Sequence, residues 1–389
     1  MSRRQYLLLA GLASTGIAAC SNDQPSSLSP SRDPQESSLA PSLNRDGDSE
    51  KGGWVITMTN GTAGNEALVF PRDGRGNLGN PVHYPTGGTG SGGGLGNQAG
   101  VVADEDVGFI YAVNAGSNSI SVFRRTGAEL VHRQTIASGG IQPISLAIRE
   151  HRLYVLNDGG SANVVGFRVG EHGMLHPLSG ATYPLSTAIP DAAQVGISPD
   201  GRTLVVTEKA THNLVLFPIR SGGRLGQPVV QRSQGNTPFG FAFDDRGTLV
   251  VSEAFGGAPN GSALSSYRGD ASGFAVVSAS VGTTQTAACW VVVTKNNRFA
   301  YTSNTNSGSI SGYRLRRDGT LTLLTPDGRT GVTGNGPIDL AITENGRLLF
   351  SLNGRDGSIS GFRVGREGDL VPVSTTVGLP AGANGLIAF

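Results

Sequence analysis

Seven copies of one short, strand-like motif are spaced along this chain. Each copy is a run of aliphatic, aromatic or β-branched residues that ends in Asn or Glu, at Asn60, Asn114, Asn157, Glu208, Glu253, Asn304 and Asn353. Successive copies end 43 to 54 residues apart. A period of this length is typical of proteins built from repeated small antiparallel sheets arranged around an axis.

Three further strand-like runs accompany each copy. A turn of Gly, Ser or Asn is followed by a second run, as at residues 309–313, a Gly turn by a third, as at 321–323, and a fourth precedes the next copy, as at 338–342. The 59 glycines and 20 prolines disfavour helices and are suited to the turns that so many short strands need. The sequence therefore predicts an all-β, seven-bladed β-propeller with four antiparallel strands per blade.

The two ends of the repeat region are incomplete in complementary ways. The region begins near residue 54 with the second strand of a blade, and residues 384–389 form a run of the first-strand type. We expect this last run to join the first blade and close the ring, which would remove the exposed sheet edges. Residues 54–389 are therefore predicted to form one propeller domain.

Residues 1–19 have the layout of an export signal. Arg3 and Arg4 precede an apolar stretch that is too short to span a bilayer securely. Residues 17–20 resemble a lipobox, which predicts lipidation of Cys20. Residues 2–8 resemble a twin-arginine motif, and an ordinary signal peptide is the alternative. We expect residues 20–53 to be a disordered tether that links the domain, through the lipid, to a bacterial membrane in the cell envelope.

The charge balance predicts the kind of partner. The 30 Lys and Arg residues nearly cancel the 29 Asp and Glu residues, which argues against nucleic-acid binding. We expect a monomer that binds a small-molecule ligand or substrate.

One opening of the central channel is the expected functional site. In antiparallel blades the start of each inner strand and the end of the second strand lie at the same face, so these positions surround one opening. The candidate substrate-binding residues at the inner-strand starts are Gln98, Gln142, Asp191, Gln194, Gln285 and Asp339.

The second strands of the fourth and fifth blades differ from the others because they end in Glu208 and Glu253. Lys209 and His212 follow Glu208 in the same loop. These four are the candidate catalytic residues, with a glutamate as general acid or base. Asn at the equivalent positions is explained by support of the turn that follows.

Carboxylates at the opening raise the question of a metal ion. Glu208, Glu253 and Asp339, with neighbouring Asn oxygens, are a donor set that a hard divalent cation accepts. Residues 88–93 match a Gly-x-Gly-x-x-Gly string, but no helix that could dock a pyrophosphate follows them. We therefore expect no cofactor, with a divalent cation at the opening as the alternative.

Residues 197–206, Ile-Ser-Pro-Asp-Gly-Arg-Thr-Leu-Val-Val, and the run from residue 301 to 321 resemble repeats of the lactonase propeller family. This family includes propeller-type 6-phosphogluconolactonases and a fungal 3-carboxy-cis,cis-muconate lactonizing enzyme. Residues 207–211, 237–244, 252–254 and 284–290 are similar to the bacterial branch often labelled carboxymuconate cyclase. The resemblance covers residues 54–389 and implies a lactone or an unsaturated carboxylate as substrate.

The family's proposed catalytic and substrate-binding groups are only partly matched. Where the fourth blade of the family commonly starts Pro-His-x-His-Gln, this chain has Pro190-Asp-Ala-Ala-Gln194. Where the fifth starts Gly-Pro-Arg-His, this chain has Thr237-Pro-Phe-Gly240, and Glu253 is the matched acid. The resemblance implies an enzyme in which Glu253 or Glu208 transfers a proton and Lys209 holds anionic charge. The alternative is a non-catalytic envelope lipoprotein that binds a small molecule or a protein on the propeller face.

Overall fold

The structure is a computed structural model that describes residues 51–104, 107–127 and 129–389. The predicted export signal, Cys20 and residues 20–50 of the predicted tether lie outside these residues. Within the described ranges no helix is long and apolar enough to cross a membrane.

Seven sheets, each with at least four antiparallel strands, account for nearly all of the regular structure. The first blade contains β1 (Gly53–Met58), β2 (Glu66–Arg72) and β3 (Val82–Pro85). The second contains β4 (Val101–Asp104), β5 (Phe109–Asn114), β6 (Ser119–Thr126) and β7 (Glu129–Ala137). The third contains β8 (Ile141–Arg149), β9 (Arg152–Gly159), β10 (Asn163–Val169) and β11 (Leu175–Pro184). The fourth contains β12 (Ala192–Ile197), β13 (Thr203–Glu208), β14 (Asn213–Pro218) and β15 (Val229–Arg232).

The remaining blades follow the same order from the channel outward. The fifth contains β16 (Pro238–Phe243), β17 (Leu249–Glu253), β18 (Ala263–Asp270) and β19 (Gly273–Gly282). The sixth contains β20 (Ala288–Val293), β21 (Phe299–Asn304), β22 (Ser309–Leu315), β23 (Leu321–Leu323) and β24 (Gly331–Val332). The seventh contains β25 (Pro337–Ile342), β26 (Leu348–Asn353), β27 (Ser358–Val364) and β28 (Leu370–Val377). The predicted seven-bladed propeller is confirmed.

The last strand, β29 (Asn384–Ala388), completes the first blade, as predicted. It pairs antiparallel with β1, with Val55 opposite Ala388 and Ile56 opposite Ile387. The guanidinium of the buried Arg72 secures the end of the chain, donating from Nη2 to the carbonyl oxygen of Phe389 at 2.8 Å. The ring is therefore closed by residues that are more than three hundred positions apart.

Burial follows strand position within each blade. The second strands are almost wholly buried, as in β5 and β13, because a neighbouring blade covers each of their faces. Such strands consist of near-continuous apolar runs, and for this reason the repeats can be recognised in the sequence. The outer strands are mostly exposed or half-buried, as in β28, where only Leu370 is buried.

Two details differ from the repeat pattern. The outer strand of the sixth blade is interrupted, since β23 and β24 pair with different parts of β22. In the first blade, Met58 takes the strand-end position opposite Asn384, so the predicted repeat position Asn60 is two residues too late. Asn60 instead binds the glycine-rich loop, with Nδ2 donating to Gly93 O at 2.7 Å.

Candidate functional site

The candidate glutamates lie at the ends of second strands. At these ends a buried side chain ties neighbouring segments of the chain together by hydrogen bonds, and such a position is here called a joint. In the seventh blade, Nδ2 of Asn353 donates to Ser358 Oγ at 3.0 Å and to Ser360 Oγ at 2.9 Å. Asn114 and Asn304 make the equivalent pair of bonds in their own blades. The amide therefore fixes the turn to the next strand, as the sequence predicted for the Asn positions.

Glu253 occupies the same position with the opposite hydrogen-bonding polarity. It is fully buried, and its Oε1 accepts hydrogen bonds from Gly235 N at 2.7 Å and Ser265 Oγ at 2.6 Å. Its Oε2 accepts from Ser280 Oγ at 2.7 Å. Burial raises the pKa of Glu253 above its ordinary value, and these hydrogen bonds offset only part of the rise. The carboxylate thus joins the connection from the fourth blade to two strands of the fifth.

Glu208 makes the corresponding joint one blade earlier. It is also fully buried, and its carboxylate accepts hydrogen bonds from the backbone N–H of Ser186 at 2.9 Å and from the Ser186 hydroxyl. Thr211 Oγ1 donates to Oε2 at 2.5 Å. Both glutamates are occupied in holding segments of chain together, and a proton-transfer role for either stays a prediction.

The segment of residues 95–100, here called the bridging segment, lies across the upper opening of the channel. The upper face is the one that carries the inner-strand starts. Gly96 O accepts a hydrogen bond from Lys209 Nζ at 2.7 Å in the fourth blade, and Asn97 O accepts from Trp290 Nε1 at 2.5 Å in the sixth. Asn97 Oδ1 accepts from Asn384 Nδ2 at 2.8 Å in the first. The segment is therefore tied to blades on several sides of the channel.

Gln98, predicted to bind substrate, supplies a side chain that the fifth blade lacks. Its amide pairs with the backbone of Val291, with Nε2 donating to the carbonyl at 2.7 Å and Oε1 accepting from the N–H at 3.0 Å. Gln194 forms the same two-bond bridge to Phe241, at 3.0 and 2.6 Å. A Cβ at Gly240 would clash with Gln98 Oε1, so glycine makes room for the bridge.

Asp158, Asp191 and Lys209, here called the acid–lysine cluster, meet at the upper opening between the third and fourth blades. Lys209 Nζ lies 3.0 Å from Asp191 Oδ1, and the Lys209 side chain is only 5% exposed whereas that of Asp191 is 38% exposed. The ammonium also lies 4.9 Å from the ring centroid of Phe239. This buried cation therefore sits beneath a carboxylate that solvent reaches.

Asp158 is the ionisable group of this cluster that sequence reasoning missed. Its Oδ1 accepts a hydrogen bond from Ala192 N at 2.8 Å, and its side chain is partly exposed. Burial raises the pKa of Asp158 to about 6, with Asp191 and Glu208 adding to the rise and Lys209 opposing it. The available signal was its position, because Asp158 directly follows the repeat position Asn157, as Lys209 directly follows Glu208.

Comparison with known proteins identifies the family. The family described as lactonase, 7-bladed beta-propeller, matches residues 180–254 and 262–384, which is about half of the chain. This chain belongs to the lactonase family. A search of curated proteins finds no match.

Solved structures share the fold at low sequence identity. A candidate 6-phosphogluconolactonase from Bacteroides fragilis is 17% identical, with a TM-score of 0.71 over 89% of this chain and 100% of its own. The periplasmic gluconolactonase of Pseudomonas aeruginosa is 15% identical, with a TM-score of 0.68 over 86% of this chain and 99% of its own. At such identities the likeness shows the fold alone.

Of the other predicted site residues of this lactonase-family propeller, Gln142 adjoins the acid–lysine cluster, since the register of β8 and β9 places it opposite Asp158. His212 accepts a hydrogen bond from Thr237 N at 2.9 Å through Nδ1, and burial together with the positive charge of Arg232 lowers its pKa. Gln285 is buried and donates to Asp327 O at 2.7 Å. Gln142 is partly exposed at the start of β8 and has a positive φ of 55°.

Asp339 lies inside the channel wall rather than at its rim. Its Oδ1 accepts a hydrogen bond from Leu340 N at 2.8 Å, and complete burial raises its pKa well above the usual value. Across the described part of the lactonase-family chain, no three or more His, Cys, Asp or Glu side chains are grouped so that they could hold a metal ion. Glu208, Glu253 and Asp339 are therefore not assembled as the cation site considered from the sequence.

Proposed function

We propose that the protein hydrolyses a lactone at the acid–lysine cluster. The observation that supports this most directly is the partly exposed Asp158 carboxyl, placed at the upper opening beside the buried Lys209 ammonium. A carboxyl group whose pKa is perturbed by burial and by a specific charge, at the mouth of a channel, has the character of a catalytic acid or base.

The chemistry follows from the two charges. At neutral pH Asp158 is ionised and takes a proton from a water molecule as that water adds to the lactone carbonyl carbon. Negative charge then develops on the carbonyl oxygen, and the Lys209 ammonium stabilises it through the low-dielectric wall. When the ring C–O bond breaks, the leaving alkoxide takes the proton back from Asp158, which leaves a hydroxy acid as product.

Sugar lactones are the substrate class that we favour. Two proteins with the same fold, from Bacteroides fragilis and Pseudomonas aeruginosa, are named as a candidate 6-phosphogluconolactonase and as a periplasmic gluconolactonase. An unsaturated carboxylate of the carboxymuconate type is the alternative within the same family, and Lys209 suits the negative charge of either product.

Initial rates of lactone opening, corrected for the spontaneous reaction, test the proposal. The panel contains glucono-δ-lactone, its 6-phosphate and a muconolactone. We expect Asp158→Asn and Lys209→Met to lower kcat/KM by about a hundredfold or more, as loss of a general base does. The wild-type rate should fall as the pH drops through about 6, where Asp158 protonates. Lys295→Met, on the opposite face, is the control and should be fully active.

Ligand binding without turnover is the second candidate. It is favoured by the bridging segment, which lies across the channel and ties Lys209 to Gly96 O at 2.7 Å. If no lactone in the panel is opened faster than in buffer, but one of them or its hydroxy acid binds the wild type and not Lys209→Met in calorimetry, the protein is a binding module.

We further propose that the protein is a monomeric lipoprotein of the cell envelope. The lipobox at residues 17–20 supports this. Labelling with a fatty-acid probe should mark the wild type in membranes and should not mark Cys20→Ala. A labelled Cys20→Ala protein would contradict the proposal.

A further inference from the structure

A cavity of about 790 Å³ opens on the lower face, at the opposite end of the strands from the acid–lysine cluster. Its walls are turns between first and second strands in the fourth, fifth and sixth blades, at residues 198–200, 245–247 and 296–297. Arg268, near the end of β18, and Arg317, in the turn between β22 and β23, also line the cavity. The family match and the proposed hydrolysis leave this cavity without a role.

Three arginines line the cavity. Arg246 is held by Asp244, with Nε at 2.8 Å and Nη2 at 2.7 Å from Oδ2, and Nη2 also donates to Asn297 O at 3.0 Å. Arg268 donates from Nε to Thr248 Oγ1 at 3.2 Å and from Nη2 to Arg317 O. Both guanidinium groups are thus fixed in place and retain an Nη1 that these bonds do not use.

Arg317 supplies a guanidinium with no structural task of its own. Its side chain is exposed at the rim, and within residues 51–104, 107–127 and 129–389 that guanidinium makes no hydrogen bond or ion pair. Arg316, next to it in the same turn, does not line the cavity. An anion that entered the cavity would meet positive charge from two neighbouring blades.

The other walls suit a ring that carries hydroxyl groups. Phe243 is partly exposed and is braced by Phe241 at a ring-centroid distance of 6.0 Å and by Phe274 at 6.3 Å. Asp245 and Asn297 fix each other through an Asn297 Nδ2 to Asp245 Oδ2 bond of 3.1 Å. An aromatic face beside fixed amide and carboxylate groups offers both the apolar contact and the directional hydrogen bonds that a sugar uses.

We propose that this lower-face cavity binds an acidic sugar. Arg268 and Arg317 hold the carboxylate or phosphate, the ring packs against Phe243, and its hydroxyl groups bond to Asp245 and Asn297. Charge-assisted bonds from guanidinium to an oxyanion give the site its selectivity for a charged over a neutral sugar.

Isothermal titration of the protein with galacturonate, glucose 6-phosphate and glucose tests the site. We expect one of the two acidic sugars to bind and glucose not to bind, and the tighter acidic sugar identifies the anion as carboxylate or phosphate. Arg317→Gln should weaken that binding by about tenfold to a hundredfold, the usual effect of losing one charge-assisted hydrogen bond. Arg316→Gln removes the same charge from the same turn and should leave the affinity unchanged.

Three results would overturn the proposal. They are the failure of both acidic sugars to bind, equal binding of glucose, and equal weakening by Arg316→Gln and Arg317→Gln. Asp158→Asn should retain the sugar affinity, because Asp158 lies at the upper opening. The outcome is therefore independent of whether the protein hydrolyses lactones.

Discussion

Substitution of Asp158 by Asn should stabilise the protein at neutral pH, although it removes a proposed catalytic group. Burial raises the pKa of Asp158 from 3.8 to about 6, so the folded protein resists ionisation of this carboxyl. Each pKa unit corresponds to about 1.4 kcal/mol, which gives a penalty of about 3 kcal/mol at pH 7. Because Asp158 is partly exposed, solvent screening makes this figure an upper bound.

The sign of the pH dependence follows from the direction of the shift. Below the unfolded pKa of 3.8 the carboxyl is neutral in both states and carries no penalty. As the pH rises through about 6 the folded state must ionise it, and that stability is lost. Asn keeps an oxygen acceptor for Ala192 N without ionising. The variant and the wild type should therefore be equally stable near pH 4 and diverge toward pH 7.

Urea denaturation followed by tryptophan fluorescence at pH 4 to 8 measures the difference. Other buried acids are present in both proteins, so their contributions to the free energy of unfolding cancel in the comparison. Asp191→Asn is the control with the opposite sign, since it takes from Lys209 the carboxylate at 3.0 Å and should destabilise the protein at neutral pH. If Asp158→Asn is less stable than the wild type at pH 7, or if the difference does not vary with pH, the reasoning is refuted.

Three further predictions concern the joints of the ring. Gln98→Ala leaves the buried N–H and C=O of Val291 unpaired, which should lower the free energy of unfolding by about 2–5 kcal/mol in urea denaturation; an unchanged midpoint would contradict the bridge. Glu253→Gln keeps an oxygen for Gly235 and Ser265, so lactone turnover at pH 7 should persist in the folded variant, and its loss would restore Glu253 as the catalytic acid. Deletion of residues 384–389 removes β29 and should abolish the cooperative thermal transition seen by circular dichroism, whereas a truncated chain that melts like the full-length one would contradict closure by this strand.

The fold was predictable because each blade repeats the same local chemistry. Apolar runs of about five residues separated by Gly and Asn turns set the strands, and the offset between the two chain ends predicted the closing strand. The bridging segment was not predictable, because Gln98 binds Val291, which lies 193 residues further along the chain. No local pattern indicates that the fifth blade lacks a bridging side chain at Gly240 and receives one from elsewhere.

The site was harder to predict because neighbouring positions on one strand face different surroundings. Side chains alternate along a strand, so the last residue and the one after it point to opposite sides. Asn157 lies in the joint between blades, whereas Asp158 reaches the opening. The same alternation separates Glu208 from Lys209. The ionisable groups Asp158 and Lys209 at the opening therefore lie one position after the repeat positions, which are themselves buried.

The choice between Asn and Glu at the strand end follows from which donors surround it. In three blades an Asn-x₄-Ser-x-Ser pattern places two serines where the Asn amide can donate to them, as Asn353 does to Ser358 and Ser360. The fourth blade lacks both serines, and the fifth keeps only the second, as Ser265, whose hydroxyl donates to Glu253. There the strand-end side chain faces N–H and hydroxyl donors, from Ser186 to Glu208 and from Gly235 to Glu253, and a group that only accepts is required. A glutamate at the strand end that is not followed by the serine pair therefore indicates first a structural role, in which the side chain accepts hydrogen bonds instead of donating them. It does not by itself indicate catalysis.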